Sequence, residues 1–200
     1  AGDLLGYDES SAIEAYLRRM IPAQHKNRDA LERLALQMIL DMNLVIQPRQ
    51  IDPIHLNPDL LVGHSGGRYR FINPAIVGYL AGKALTTYTG LSHIQEQPAW
   101  SGKSSTLLYY SHFGDVSSII QSLLKNDDFL HRELLRIATW LKVTPTNQPW
   151  RVNILRILAS VLQVERETLP LAARIITALA TSGDPGAVVL FRQMLQSEND

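Results

Sequence analysis

The first strong pattern along the chain is an apolar stripe with helical spacing in the segment DALERLALQMILDMN. Its members recur at i, i+3, i+4, i+7 and i+11, which places them on one helix face: Leu31, Leu34, Ala35, Met38 and Met42. Acidic residues stand in the first turn, where the helix dipole favours negative charge, and a proline follows the run. The sequence therefore predicts a helix from about Arg28 to Asn43, after a shorter one around Ala12–Ile21.

The pattern then changes from helical spacing to short extended pieces. Three prolines exclude a long helix between residues 44 and 60, which leaves strand candidates at Leu44–Gln47 and Leu60–Val62. A glycine-rich turn, HSGG, separates the second candidate from RYRFI. In RYRFI, Tyr69 and Phe71 alternate with two arginines, as in a half-buried strand, so the sequence predicts a β-hairpin.

Helical spacing returns in AIVGYLAGKALTTY after Asn73 and Pro74, a residue pair typical of a helix cap and a first helical turn. A helix, a hairpin and a second helix predict a small winged-helix module over residues 1–88. The following residues, 89–105, lie in a stretch without a clear period that is rich in hydroxyl side chains. We expect a linker or hinge there.

Residues 106–200 contain one helical segment after another and no strand pattern. Each of two apolar stripes is wide enough to need a partner helix: Leu130, Leu134, Ile137 and Leu141, then Ile154, Ile157, Leu158 and Val161. Short connectors and paired amphipathic helices are typical of HEAT-like repeats. We predict a mostly α protein, with the winged-helix module followed by a HEAT-like antiparallel helical array. An irregular helical bundle is the alternative for the second part.

Composition narrows the function classes. The 200 residues include 19 basic and 19 acidic side chains, so no net charge draws the chain to nucleic acid. The absence of cysteine excludes a disulfide framework, a thiolate zinc site and a cysteine nucleophile. No stretch reaches the roughly 18 consecutive apolar residues of a membrane helix. We expect a cytoplasmic protein without a membrane partner and, since it begins without methionine, a piece of a longer chain.

Two short motifs resemble catalytic sequences, but their contexts do not fit. GHSGG has the spacing of a nucleophile elbow at Ser65, and Asp115 and His131 follow in the order of a hydrolase triad. An elbow needs a helix directly behind the serine, whereas a strand pattern follows here. WSGKSST ends like a P-loop, yet Gln97 stands where that motif needs its first glycine. We expect no catalytic residue and, since the histidines lack ligand spacing, no metal.

A winged helix can also bind DNA, with one helix in the major groove and the wing on phosphate. The candidate helix carries charges of both signs, which argues against a fit to the groove: Arg28, Asp29, Glu32, Arg33 and Asp41. On the wing strand, Arg68 and Arg70 form a local basic pair. A DNA-binding regulator is therefore kept as an alternative to a protein-binding module.

The segment GRYRFINPAIVGYLAGKAL, residues 67–85, resembles the end of the winged-helix domain in NACHT-type STAND NTPases. In that family a strand ending in Arg-Phe runs into a His, a short turn and a Tyr-Leu-Ala-Ala-like helix. LERLALQMILDMN resembles the preceding family helix, and LPLAARIITALATSGDPGAVVLFRQML resembles a HEAT unit of the kind that follows in bacterial members. The resemblance covers most of residues 12–196.

The resemblance implies a regulator that holds ADP in an autoinhibited state, exchanges it for ATP on meeting a trigger, and oligomerises to activate an effector. Signal transduction in bacterial defence is one such function. The nucleotide would lie in an upstream domain, so we expect no cofactor in this chain by itself. Asn73 stands at the family's nucleotide-contacting His; its amide can donate to a phosphate but carries no charge. A helix cap is the alternative role, and the two are compatible.

Gly78 and Gly82 depart from the family pattern, which has Glu and Ala at these positions. These departures leave the fold prediction unchanged. The sequence thus predicts a non-catalytic regulatory or sensor region of a NACHT-type STAND NTPase, which packs on an upstream nucleotide-binding core and recognises a protein trigger or effector. A DNA-binding winged-helix regulator and a stand-alone HEAT-like scaffold are the alternatives.

Overall fold

The computed structural model describes residues 9–21, 26–50, 60–125, 128–164 and 168–197. Helices make up 71% of the structure, in ten segments, and one two-stranded antiparallel sheet accompanies them among the described residues. The predicted fold class, mostly α with a short β-hairpin, is confirmed. None of the described helices is both long enough and apolar enough to span a membrane. The chain divides into two compact units, Ala1–Gly114 (unit 1) and Asp115–Asp200 (unit 2).

Unit 1 contains the hairpin and five helices within its described part. In chain order the elements are α1 (Glu9–Met20), α2 (Lys26–Leu40), β1 (Leu61–His64), β2 (Arg68–Phe71), α3 (Pro74–Ala84), α4 (Leu91–Glu96) and α5 (Ser101–Phe113). α1 and α2 lie where the sequence predicts helices.

The end of α2 is set by its backbone rather than by its apolar stripe. Met42 has a left-handed φ of 51°. Two backbone hydrogen bonds close the terminus, from Asn43 N to Met38 O at 2.9 Å and from Met42 N to Ile39 O at 3.1 Å. This is the Schellman pattern, which a helix cannot continue through, so α2 ends at Leu40 before the predicted Asn43.

The hairpin forms as the alternation of residues predicts. β1 and β2 pair antiparallel with Leu61 opposite Phe71. Phe71 is buried and Arg70 is exposed, which is the inward and outward order expected for a half-buried strand. The connecting turn uses Gly66 and Gly67, whose φ values of +73° and +69° would strain any residue with a side chain.

The strand predicted at Leu44–Gln47 is reduced to a single bridge. Ile46 exchanges backbone hydrogen bonds of 2.8 and 3.0 Å with Tyr69. A 3-10 turn at Pro48–Gln50 follows directly and prevents further pairing. Residues 51–59, which hold the other two prolines of this region, lie outside the described residues.

α3 is the core helix of unit 1 and packs against both α2 and α5. Asn73 caps it by accepting a 2.9 Å hydrogen bond from the backbone N of Ala75, and Pro74 occupies the first turn. Eight of its eleven residues are buried, so hardly any of this helix contacts solvent. The predicted cap and helix are both confirmed.

The close approach of α3 to α5 depends on two glycines four residues apart. A Cβ on Gly82 would lie 2.7 Å from the backbone N of Tyr110 and 3.0 Å from the backbone O of Thr106. A Cβ on Gly78 would lie 2.6 Å from the Oγ of Ser105. The two positions that depart from the family pattern therefore have a packing reason, because only glycine leaves room for α5 there.

The linker predicted at residues 89–105 is wrong, and so is the domain division at 88 and 106. α4 occupies part of this stretch and α5 begins at Ser101, while the boundary between the units falls after Gly114. The pattern misled because α5 meets α3 largely through glycine and hydroxyl side chains, which leave no apolar period in the sequence.

Two buried polar side chains hold the chain between α4 and α5. Gln97 donates from Nε2 to the backbone O of Ile39 at 2.8 Å and so bonds a terminal carbonyl of α2. Lys103 donates from Nζ to the backbone O of Gln95 at 2.7 Å and of Gln97 at 2.5 Å. These bonds fasten to unit 1 the segment in which the sequence predicts a linker or hinge.

Unit 2 is helical throughout its described part. Its elements are α6 (Ser117–Leu124), α7 (Arg132–Trp140), α8 (Pro149–Val164), α9 (Leu169–Thr181) and α10 (Pro185–Ser197). Each helix packs on the next, and α7 also packs on α9 and α8 on α10. Contacts between helices two apart occur both in a HEAT-like array and in an irregular helical bundle, so the HEAT-like arrangement stays a prediction.

A buried arginine ties these helices together. Arg151 on α8 is 1% exposed and donates from Nη1 to the backbone O of Leu141 at 2.6 Å and of Thr144 at 2.9 Å. Its Nη2 donates to the backbone O of Ser182 at 3.2 Å and lies 3.4 Å from the carboxylate of Asp184. The segments that directly follow α7 and α9 therefore bind the same guanidinium group.

Candidate functional site

An open groove between α7 and α9 is the candidate binding site of unit 2. Its volume is about 540 Å³. Four basic side chains line it: Arg132, Arg136, Lys142 and Arg174. The rest of the lining is apolar or carries hydroxyls: Leu135, Ala138, Thr139, Ala173, Thr177, Ala178 and Thr181. Among the described residues, no Asp or Glu belongs to the lining.

The helical period explains why these residues meet. On α7 the buried face consists of Leu134, Ile137, Ala138 and Trp140, so Arg132 and Arg136 lie together beside that face. On α9 the buried face consists of Leu171, Ala172, Ile175 and Leu179, which leaves Arg174 and Thr177 outside it. Because α7 packs on α9, the two sets form opposite walls of the groove.

The four cations differ in how far they are neutralised. Arg132 bonds the carboxylate of Asp128 at 2.5 Å, and Arg136 is paired with Glu133. Lys142 and Arg174 form no ion pair with any described residue. The groove therefore keeps an uncompensated positive charge, although the whole chain has no net charge.

The hydroxyl groups of the groove are already used as donors. Thr139 donates to the backbone O of Arg136 at 2.7 Å, and Thr177 donates to the backbone O of Ala173 at 2.8 Å. Thr181 donates in the same way within α9. Hydrogen bonds to a ligand would therefore come from the Lys and Arg side chains, which lie around a floor of small apolar side chains.

Asn73, the predicted cofactor-binding residue, is exposed at the start of α3. It lines an open cavity of about 470 Å³ together with Glu9, Tyr16 and several apolar residues of α1 and α3. The described lining contains no basic side chain, so an anion at this point would meet only neutral donors there, such as the Asn73 amide.

Unit 1 also holds a charged network that the sequence does not reveal. Glu14 on α1 accepts hydrogen bonds from Arg28 Nη2 at 2.5 Å and from the Tyr79 hydroxyl at 2.7 Å. Glu32 lies 3.4 Å from Arg28 and 3.3 Å from Lys83. Burial raises the pKa of Glu14, but the hydrogen bonds from Tyr79 and two arginines outweigh it and lower the pKa to about 2.

The same contacts raise the pKa of Tyr79 through burial and the neighbouring carboxylate. Glu14 is therefore ionised and Tyr79 neutral over the whole physiological range, and neither exchanges a proton near neutral pH. The network fastens α1 to α2 and α3. No sequence pattern signals it, since Glu14 and Tyr79 are 65 residues apart.

The residues of the rejected hydrolase triad have local structural roles. Ser65 lies in the hairpin turn, accepts a 3.1 Å hydrogen bond from Arg68 and is followed by a strand. Asp115 accepts from the backbone N of Ser117 at the start of α6. His131 precedes α7 with a left-handed φ of 52°, so it does not lie on the polar face of that helix.

The lysine of the P-loop-like motif has a structural role, and the described histidines belong to no metal-binding cluster. Lys103 of WSGKSST is 9% exposed and is bonded by the carbonyls of Gln95 and Gln97. Within the described residues, no group of three or more His, Cys, Asp and Glu is placed to hold a metal. His25 and His55 lie outside that region.

The basic residues of the predicted DNA-binding surface are largely engaged. The side chain of Arg28 is 6% exposed and pairs with two carboxylates, and Arg33 pairs with Asp29 at 2.9 Å. On the wing, Arg68 donates to the backbone O of Ser65 at 2.8 Å, while Arg70 is exposed. Mixed charge along α2 leaves little free positive potential for a phosphate backbone.

No protein-family model matches this chain, and no curated protein or solved structure does. Its function has to be argued from its own residues. Sequence reasoning missed the four groove cations, although Arg132 and Arg136 are four residues apart in one predicted helix. Arg174 becomes their neighbour only through the stacking of α7 on α9.

Proposed function

We propose that this chain is a non-catalytic regulatory region of a cytoplasmic NACHT-type STAND NTPase. Unit 1 packs on an upstream nucleotide-binding core, and unit 2 recognises a protein trigger or effector. The observation that carries the proposal is the order of secondary-structure elements in residues 67–85. β2 ends at Phe71, Asn73 caps α3, and Tyr79 and Leu80 are buried in that helix, which is the order of strand, turn and helix that the resemblance requires.

Two further observations support binding as the function. The groove in unit 2 offers free cations over an apolar floor, a combination that suits a protein ligand. Ser65 and Lys103, the residues of the two catalytic-looking motifs, are engaged in hydrogen bonds within unit 1. In this proposal the chain contributes recognition, and the nucleotide chemistry belongs to the upstream core.

Asn73 has room for a second role within this proposal. Its side-chain oxygen is occupied by the backbone N of Ala75, whereas its amide nitrogen has no partner among the described residues. An exposed amide at the start of α3 is available to donate to a phosphate held by the upstream core. An amide lacks the charge of a protonated His, so ADP would be held less tightly than in family members with His.

Calorimetric titration of this chain with ATP and with ADP, each with Mg²⁺, tests where the nucleotide binds. The proposal predicts no binding of either nucleotide by the isolated chain. Clear micromolar binding would contradict it. A parallel titration with duplex DNA at two salt concentrations tests the main alternative, a DNA-binding regulator. Tight binding that weakens steeply with salt would favour that alternative.

A further inference from the structure

The groove between α7 and α9 has two free cations on opposite walls. Lys142 lies just beyond the end of α7, and Arg174 lies in the first half of α9. Both are exposed, and neither has a carboxylate partner among the described residues. Arg132 and Arg136 add positive charge to the same lining, although each already has an acidic neighbour.

The geometry points to an acidic protein segment as the occupant of this groove, with carboxylates bound by Lys142 and Arg174. The inference rests on the proposed function, because it names the partner class that unit 2 recognises. Two unpaired cations attract carboxylates, and the acidic side chains next to the described lining, Asp128 and Glu133, are themselves paired with Arg132 and Arg136.

The floor of the groove favours a peptide over a nucleic acid. Ala138, Ala173 and Ala178 are small, which lets a bound chain come close to the helix backbones. Leu135 adds an apolar contact for a ligand side chain. A nucleic acid gains its affinity from many phosphate contacts spread over a basic surface, whereas this groove combines few charges with apolar area.

Selectivity follows from the unequal neutralisation of the cations. A ligand carboxylate must compete with Asp128 for Arg132 and with Glu133 for Arg136. Lys142 and Arg174 can be bound without breaking any ion pair, so they supply most of the electrostatic gain. Reversing these two charges should remove the attraction and add repulsion.

The test uses a fluorescein-labelled amphipathic peptide of Glu, Leu and Ala, about four helical turns long, and the same peptide with Gln for Glu. Fluorescence anisotropy with the whole chain at low salt measures both. We expect the Glu peptide to bind at least about tenfold more tightly than the Gln peptide, with a preference that fades at high salt. The double variant K142E/R174E should weaken binding of the Glu peptide at least about tenfold.

Matched controls separate the groove from a general charge effect. R156E/R192E makes the same change of charge at exposed arginines of α8 and α10, and it should leave binding within about twofold. A peptide with Lys in place of Glu should bind K142E/R174E better than it binds the unchanged chain. A circular-dichroism spectrum like that of the unchanged chain shows that K142E/R174E is folded. A gain that R156E/R192E, with the same net charge, does not share then belongs to the groove.

The assignment would be overturned by equal binding of the Glu and Gln peptides, by unchanged binding to K142E/R174E, or by an equal loss in R156E/R192E. Tighter binding of duplex DNA, lost in the same double variant, would make the groove a nucleic-acid site and would also overturn it. If the peptide experiments fail but the chain binds no nucleotide, the groove assignment is wrong and the proposed function stands. If the chain binds nucleotide, the proposed function is wrong, and the peptide experiments still decide the groove assignment.

Discussion

Gly82 and Tyr110 bring α3 and α5 into backbone contact, because a Cβ on Gly82 would lie only 2.7 Å from the amide N of Tyr110. The helix after the wing is consequently buried between α2 and α5. This contact makes residues 101–113 part of unit 1 and explains why a sequence rich in Gly, Ser and Thr is ordered there.

Replacing Gly82 by Ala should destabilise unit 1. Alanine is the better helix former by about 1 kcal/mol, but forcing a methyl group against backbone costs more, so we expect a net loss of about 1–3 kcal/mol in the free energy of unfolding. Urea denaturation measures it. Gly63→Ala is the control, since a Cβ there meets nothing within 4 Å. Equal effects of the two substitutions would refute the backbone contact.

Glu14→Gln tests the charged network of unit 1 through pH. The pKa of Glu14 is lowered from 4.5 to about 2 in the folded chain, so its ionised form stabilises the fold above pH 4.5. That contribution is lost as pH falls from 4.5 through 2. We expect E14Q to cost about 2 kcal/mol at pH 7, and the difference from the unchanged chain to shrink to less than half by pH 3.

Urea denaturation at the two pH values checks this expectation. Glu96→Gln is a suitable control, because Glu96 is exposed at the end of α4 and has no bonded partner among the described residues. It should be nearly neutral at both pH values. A cost of E14Q that stays the same at pH 7 and pH 3 would show that the carboxylate charge is not what matters.

Asn73 variants separate its cap from its proposed contact with a nucleotide. Asn73→Ala removes the hydrogen bond to Ala75 and should lower the free energy of unfolding by about 1 kcal/mol, whereas Asn73→Asp keeps the cap and should stay within a few tenths. If the chain is part of an ADP-binding NTPase as proposed, both variants remove the amide donor in that protein, so both should release bound ADP faster. If N73D releases ADP at an unchanged rate, the proposed nucleotide contact is wrong and Asn73 acts only as a helix cap.

The sequence predicts well those elements that short segments determine. The alternation of Tyr69 and Phe71, the two turn glycines and the Asn73–Pro74 pair are local signals, and the hairpin and α3 form where they indicate. α7 and α8 form where their apolar stripes indicate, and Leu134, Ile137, Ile154 and Leu158 of those stripes are buried.

Tertiary features escape such a prediction. α5 meets α3 at glycines and hydroxyl groups, so its segment shows no apolar period and the sequence wrongly predicts a linker there. Lys142 and Arg174 are 32 positions apart in the sequence and share a groove only because α7 packs on α9. Glu14 on α1 and Arg28 on α2 likewise meet only in the folded unit, and no motif encodes their ion pair.

The sequence of the parent reading frame upstream of this chain tests the central claim most directly. If the chain is the regulatory region of a NACHT-type NTPase, roughly 300 upstream residues should contain a strand followed by GxxxxGK[ST], and later an acidic pair at the end of an apolar strand. A reading frame that encodes no such motifs upstream would contradict the proposed nucleotide switch and favour a stand-alone scaffold or a DNA-binding regulator.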